Sequence, residues 1–163
     1  IEGNISYRTD ERMAALNSRL EKVKGEVSHC EAPSNWAGDW QKAVESVVIL
    51  GAKPSGKIPN LEGPRANCCT DGILGADVIF VPLEDGDRCE ALIAMGKKVI
   101  VVDLNPLSRT ARMATITIVD ELRRMAPLLL LDLINIDDLS PVKWNNEKNL
   151  DNSLAVMLSK LEN

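Results

Sequence analysis

The chain has 163 residues, 45% of them hydrophobic, enough for one compact domain with a sizeable core, while two full domains would be cramped. With 24 acidic against 19 basic residues its formal charge is −5, and its isoelectric point lies near 5.0. That balance excludes broad, nonspecific binding to nucleic acid, which needs a basic surface facing phosphates.

Four cysteines occur, Cys30, Cys68, Cys69 and Cys89. No two have C-x-x-C spacing, which argues against zinc or any other dedicated metal centre. The apolar run at Leu128 to Leu131 is far shorter than a membrane span, and no signal-peptide pattern is present, so no membrane partner is expected. Free thiols in a reducing cytoplasm are the simplest reading. The opening on Ile1 rather than methionine points to a fragment or a processed product.

In chain order, residues 1–6 alternate like a strand. Thr9 or Asp10 then caps a helix with apolar positions Met13, Leu16, Leu20 and Val23, ending at Gly25 or just after. A helical turn or two is expected over 39–46, and V-V-I-L at 47–50 reads as a buried strand. Residues 51–71, rich in Gly, Pro and Asn, read as a long ordered loop.

D-V-I-F-V-P-L at 77–83 and K-V-I-V-V-D-L at 98–104 are strands flanking a short helix at 87–95 that Gly96 ends. A helical turn and the strand T-I-T-I at 115–118 follow. Asp120 is placed to cap the next helix, whose apolar stripe is Leu122, Met125, Leu129 and Leu133, with Pro127 kinking it or marking its true start. Residues 137–149 read as irregular and 150–161 as a terminal helix. Strands alternating with helices predict an α/β fold, a three-layer sandwich on a mainly parallel sheet. The expected organisation is an α/β nucleotide-binding domain over 1–135 and a C-terminal tail over 136–163.

Both strands run straight into polar residues. In a parallel sheet the ligand crevice lies beyond the carboxyl ends of the strands, so Glu84 to Arg88 and Asp103 to Thr110 are expected to meet at one site. In E-D-G-D-R the carboxylates of Asp85 and Asp87 suit a metal or sugar hydroxyls, and Arg88 suits an anion. An Asp-Gly turn with Asp87 as helix cap explains the same residues equally well. In D-L-N-P-L-S-R-T, Asn105 before Pro106 is held extended, and Ser108, Arg109 and Thr110 place hydroxyls and a guanidinium where phosphate is bound, or else form a structural turn.

Gly51, Gly56 and Lys57 follow a strand pattern as in a P-loop, but Ile58 stands where the motif needs a hydroxyl, and Pro59 argues against a new helix. No G-x-G-x-x-G is present, which removes the support for hydride transfer. His29 reads as a surface or helix-end residue. The vicinal Cys68 and Cys69 lack basic support for redox chemistry. Trp36 and Trp40, at helical spacing, are expected to pack on the core or a partner.

Four segments together resemble the archaeal phosphopantothenate synthetases, the 4-phosphopantoate–β-alanine ligases of coenzyme A biosynthesis. They are N-I-S-Y-R-T-D-E-R, L-G-A-K-P-S-G-K-I-P-N-L-E, D-V-I-F-V-P-L-E-D-G-D-R-C-E-A-L and V-V-D-L-N-P-L-S-R-T-A-R-M-A-T-I-T-I-V-D-E. The similarity covers about residues 1–135. It implies a Rossmann-like homodimer that uses ATP and Mg2+ to join 4-phosphopantoate to β-alanine, releasing AMP and pyrophosphate. The implied ATP contacts are Asp103, Leu104, Asn105, Arg109, Thr110, Glu121 and Leu122. Arg109 would stabilise charge during catalysis, and Asp85 or Asp87 would orient the metal or the amine.

The family pattern has a further N-terminal part that is absent from this sequence, with basic residues that help to bind ATP. It also often carries asparagine where this chain has Glu121. Two other readings fit the residues: a noncatalytic nucleotide-binding or assembly module, and a phosphosugar-binding isomerase-like domain.

Overall fold

The computed structural model describes residues 2, 9–32, 34, 36–82, 86–136 and 140–160, with the side chain of residue 134 excepted. The chain forms two compact units, one of Ile1–Gly75 with Leu133–Ile136, the other of Ala76–Asp132 with Asp137–Asn163.

In the first unit, helix α1 spans Asp10–Ser28 and helix α2 spans Trp40–Glu45. Thr9 caps α1 by accepting from the Arg12 amide, as its position before the apolar repeat predicts. The helix runs through Gly25 to Ser28, and His29 is its exposed C-terminal cap. No residue of α1 is fully buried. Trp36 and Trp40 meet edge to face, ring centroids 5.1 Å apart.

Over the expected strand at 47–50 the described residues carry one parallel bridge, Leu50 to Glu2, and no longer ladder, and Val48 is 53% exposed.

The expected loop at 51–71 is more ordered than its composition suggests. Strands β1 (Gly56–Lys57) and β2 (Asn67–Cys68) pair antiparallel, and Ile58, Ala66 and Cys68 are buried. A Cβ at Gly56 would fall 2.3 Å from Leu74 Cδ1, so any larger residue there requires the leucine side chain to shift. The Glu2 carboxylate accepts from the amides of Cys69 (2.7 Å) and Ile73 (2.8 Å), tying the first residues of the chain to the tight turn at Thr70–Leu74.

The second unit is built on strands β3 (Val78–Val81), β4 (Lys98–Val102) and β5 (Ile116–Ile118). All are parallel, in the order β3-β4-β5, with Val81, Val101 and Thr117 in register. This is the α/β arrangement with a parallel sheet that the alternating pattern predicts. Helix α3 (Gly86–Ala94) links β3 to β4, and helix α4 (Arg109–Met113) links β4 to β5. Helices α5 (Leu122–Ile134) and α6 (Asn146–Ser159) follow.

The core lies between α3, α4, α6 and one sheet face, where Cys89, Leu92, Val99 and Val101 are inaccessible to solvent. Gly96, at φ 80°, ends α3 in a Schellman arrangement, with Gly96 N donating to Ile93 O and Lys97 N to Leu92 O.

Of the two alternatives at Pro127, the start of a helix is ruled out: α5 begins at Leu122 and Pro127 lies inside it, near its middle. One expectation on this unit is corrected. Helix α6 starts at Asn146, four residues before the expected position, because Asn145 caps it by accepting from the Lys148 amide at 2.9 Å. Its first turn is polar for a structural reason. Asn146 accepts from Thr117 N (2.8 Å) and donates to the carbonyls of Ala111 (2.9 Å) and Ala114 (3.2 Å), fastening α6 to α4 and β5.

Candidate functional site

Strand β4 leaves the sheet at Asp103, whose amide donates to Ile118 O of β5 at 3.0 Å. The carboxyl ends of two neighbouring parallel strands therefore stand together, where ligand sites of open α/β sheets lie. The Asp103 carboxylate accepts from Asn105 N at 2.9 Å and from Ser108 Oγ at 2.5 Å. Asn105 Oδ1 accepts from Leu107 N at 3.0 Å, and Ser108 Oγ caps α4 by accepting from Ala111 N at 2.9 Å. Proline at 106 removes an amide donor from the turn, and Asn105 is held extended before it.

The side chains of Asp103, Asn105 and Ser108 thus hold the turn's shape. Its outward groups are backbone and the exposed side chains of Leu104 and Leu107. Thr110 is buried, so it faces the interior, and its carbonyl accepts from Ala114 N.

Arg109 projects from this turn. One terminal nitrogen donates to Asp87 and the other to Glu90, both on α3. The hydrogen bond to Glu90, then the charge of Asp87, hold its guanidinium above the ordinary arginine value. The side chain remains 59% exposed. The two pairs use two of its five N–H donors. Exposed ion pairs are weak and screened by salt, so an incoming phosphate competes with weak partners.

Gly86 makes the close approach possible, because a Cβ there would lie 2.9 Å from Arg109 Cγ and Cδ. Asp87 was among the candidates; Glu90 was not. Its signal was the spacing, since residues three apart on a helix face the same way.

Beyond β5, the sequence places the helix cap one residue early. Glu121, not Asp120, caps α5 by accepting from Arg124 N at 3.1 Å. Asp120 instead pairs with the Arg124 side chain, and that hydrogen bond, followed by one from the Glu121 amide, holds its carboxyl below the ordinary aspartate value. Leu122 is 38% exposed at the first turn of α5. Arg88, weighed above for an anion, is 8% exposed and buried in its unit. Asp85 and Glu84 lie outside the described residues.

Lys57 belongs to the β1–β2 pair, with no helix after it, so a P-loop is absent from this segment. Among the described residues no group of three or more His, Cys, Asp or Glu is placed to hold a metal ion. Magnesium arriving with a nucleotide does not require one, being carried by phosphates with one or two carboxylates. No helix among the described residues is long and apolar enough to cross a membrane.

A family model described as phosphopantothenate/pantothenate synthetase matches residues 1–159, reaching past the segment that was diagnostic in the sequence. Over 127 residues the chain is 46% identical to a 4-phosphopantoate–beta-alanine ligase of Thermococcus kodakarensis, covering 78% of this chain and 41% of the relative. The ligase of the same name from Methanosarcina mazei is 42% identical over 124 residues, covering 76% of this chain and 40% of the relative. The corresponding figures for Methanospirillum hungatei are 40% identity, 76% and 42%. The chain therefore spans about two fifths of the length of the curated relatives it matches.

Proposed function

Because the chain belongs to the phosphopantothenate/pantothenate synthetase family, we propose that it takes part in the ATP-dependent ligation of 4-phosphopantoate to β-alanine. AMP and pyrophosphate are the by-products, as in the AMP-forming acid–amino-acid ligases of coenzyme A biosynthesis. ATP supplies the activation: the substrate carboxylate oxygen bonds to the α-phosphorus as pyrophosphate departs, and the amine nitrogen then bonds to the acyl carbon as AMP departs.

The observation that carries this reading is the exposed Arg109 guanidinium beside the hydrogen-bonded Asp103–Ser108 turn, at the carboxyl end of β4. Such chemistry depends on positioning and on neutralising charge spread over phosphate oxygens. Arg109 binds phosphate and steadies that charge; Asp87 and Glu90 orient it. The backbone from Asp103 to Asn105 and the exposed Leu104 contact the nucleotide, and Thr110 contributes through its main chain. Glu121, already engaged as a cap, also acts through its main chain, next to Leu122. Mg2+ accompanies ATP, with Asp85 or Asp87 as its protein contact. We place the protein in the cytoplasm as a homodimer, for which the exposed leucines 128, 130 and 131 of α5 offer an apolar surface.

The test incubates this chain with ATP, Mg2+, 4-phosphopantoate and β-alanine and measures AMP and pyrophosphate against single-omission controls. Release that requires every component supports the ligase. ATP binding without release identifies a nucleotide-binding module instead.

A further inference from the structure

A second concavity, of about 550 Å3, lies wholly within the second unit, between the turn after β4, helix α4 and helix α6. Its volume falls in the range of small-molecule sites. Pro106 and Leu107 of the turn form one apolar wall, and Leu150 and Leu154 of α6 form the other. Arg112 of α4 lines it, with Glu147 and Asp151 one helical turn apart on α6.

Among the described residues these three charged side chains enter no ion pair, with each other or with a third group. A cation and two carboxylates thus border one small cavity without neutralising one another. The walls are held rigidly, because Asn146, next to Glu147, fastens α6 to the last carbonyls of α4. The cavity also borders the turn that carries Arg109, since Pro106 and Leu107 precede it by two or three residues.

Resting on the ligase reading above, we propose that this cavity is the site of the amine co-substrate, a short zwitterionic amino acid. Arg112 takes its carboxylate, and Glu147 with Asp151 takes its ammonium group. The charge pattern discriminates between the co-substrates. One guanidinium against two carboxylates repels a polyanion such as a phosphorylated acid or a nucleotide, whereas a zwitterion satisfies both signs at once. The short methylene stem rests on the leucine walls. The cavity borders the turn that carries Arg109, so the amine is held next to the phosphate site; there the ammonium gives a proton to the Glu147 or Asp151 carboxylate, and the free nitrogen bonds to the acyl carbon as AMP departs.

The experiment titrates β-alanine into the whole chain and follows the methyl signals of Leu107, Leu150 and Leu154 by 1H–13C NMR. Propionate and propylamine, each carrying one of the two charges, serve as controls. Saturable shifts at Leu107 and Leu154 are expected with β-alanine, at least about tenfold weaker with either control, in Arg112→Ala and in the Glu147→Gln/Asp151→Asn double variant. The folded state of each variant is read from the remaining methyl spectrum; should Arg112→Ala unfold, Arg112→Gln replaces it. No saturable shift up to tens of millimolar, or equal binding by the variants, overturns the proposal. Methyl shifts without AMP release from the complete mixture would retire the ligase reading and leave the amino-acid site standing. AMP release without methyl shifts would do the reverse.

Discussion

Asn146→Ala is the substitution whose cost follows most directly from the coordinates. The side chain accepts from Thr117 N at 2.8 Å, and its two amide hydrogens are shared among Ala111 O (2.9 Å), Ala114 O (3.2 Å) and Thr117 Oγ1 (3.2 Å). Thr117 is 2% exposed, so its amide would lose a partner where water enters poorly. Three neutral hydrogen bonds at about 0.5–1.5 kcal/mol each, offset by about 0.5 kcal/mol of helix propensity gained with alanine, give a loss of about 1–4 kcal/mol.

The chain has two compact units, so a single global melting curve is a poor readout. Native-state amide exchange at Val101 and Val102 on β4 reports the opening of the affected unit alone. A loss of about 1–4 kcal/mol accelerates it roughly 5- to 700-fold, at about 1.4 kcal/mol per decade. Asn146→Asp should be no better than alanine, since a carboxylate offers only acceptors to the two carbonyls. Acceleration below about threefold in both variants would refute the assignment of α6's anchorage to this amide.

Arg109→Ala should weaken ATP binding by more than about tenfold in calorimetry, with Arg109→Lys recovering only part, because a point charge cannot replace the planar fork; near-normal affinity removes Arg109 from the mechanism. Gly86→Ala should displace Arg109, whose Cγ and Cδ would lie 2.9 Å from the new methyl, and weaken ATP binding several-fold. In an Arg109→Ala background the same change should have a much smaller effect on ATP binding, since only the Cβ contact at 3.0 Å is left, which a double-mutant cycle checks. Arg124→Ala should raise the Asp120 titration point, followed by carboxyl 13C shift, towards the ordinary aspartate value near 3.9. Because the folded value is depressed, the link stabilises the fold above the unfolded value and is lost as pH falls through the folded one. The variant should therefore lose that component of the acid response below about pH 4.

The β3–α3–β4–α4–β5 run was legible because each strand is a short apolar segment and each helix ends on a local signal, such as Gly96. The turn at Asp103–Ser108 was legible for the same reason, since Asn-Pro and Ser carry their geometry locally. What was missed depends on groups far apart in sequence. Glu90 matters only because Arg109 reaches it, and Arg112 shares a cavity with Glu147 only because Asn146 brings α6 to α4. At 47–50 the apolar run shows, among the described residues, a single bridge from Leu50 to Glu2. The start of α6 was hidden because polar anchoring residues there break the apolar repeat.

The Glu2 carboxylate bonds to the amides of Cys69 and Ile73, joining positions 67 and 71 residues apart. Closing a loop of that size carries an entropic cost that is recovered only once the turn at Thr70–Leu74 is nearly in place. In the other unit each parallel strand meets its neighbour after one short crossover helix. By contact order, the sheet should assemble early and the clasp at Glu2 late. The first unit therefore spends the longest part of its folding with the amides of Cys69 and Ile73 unpaired.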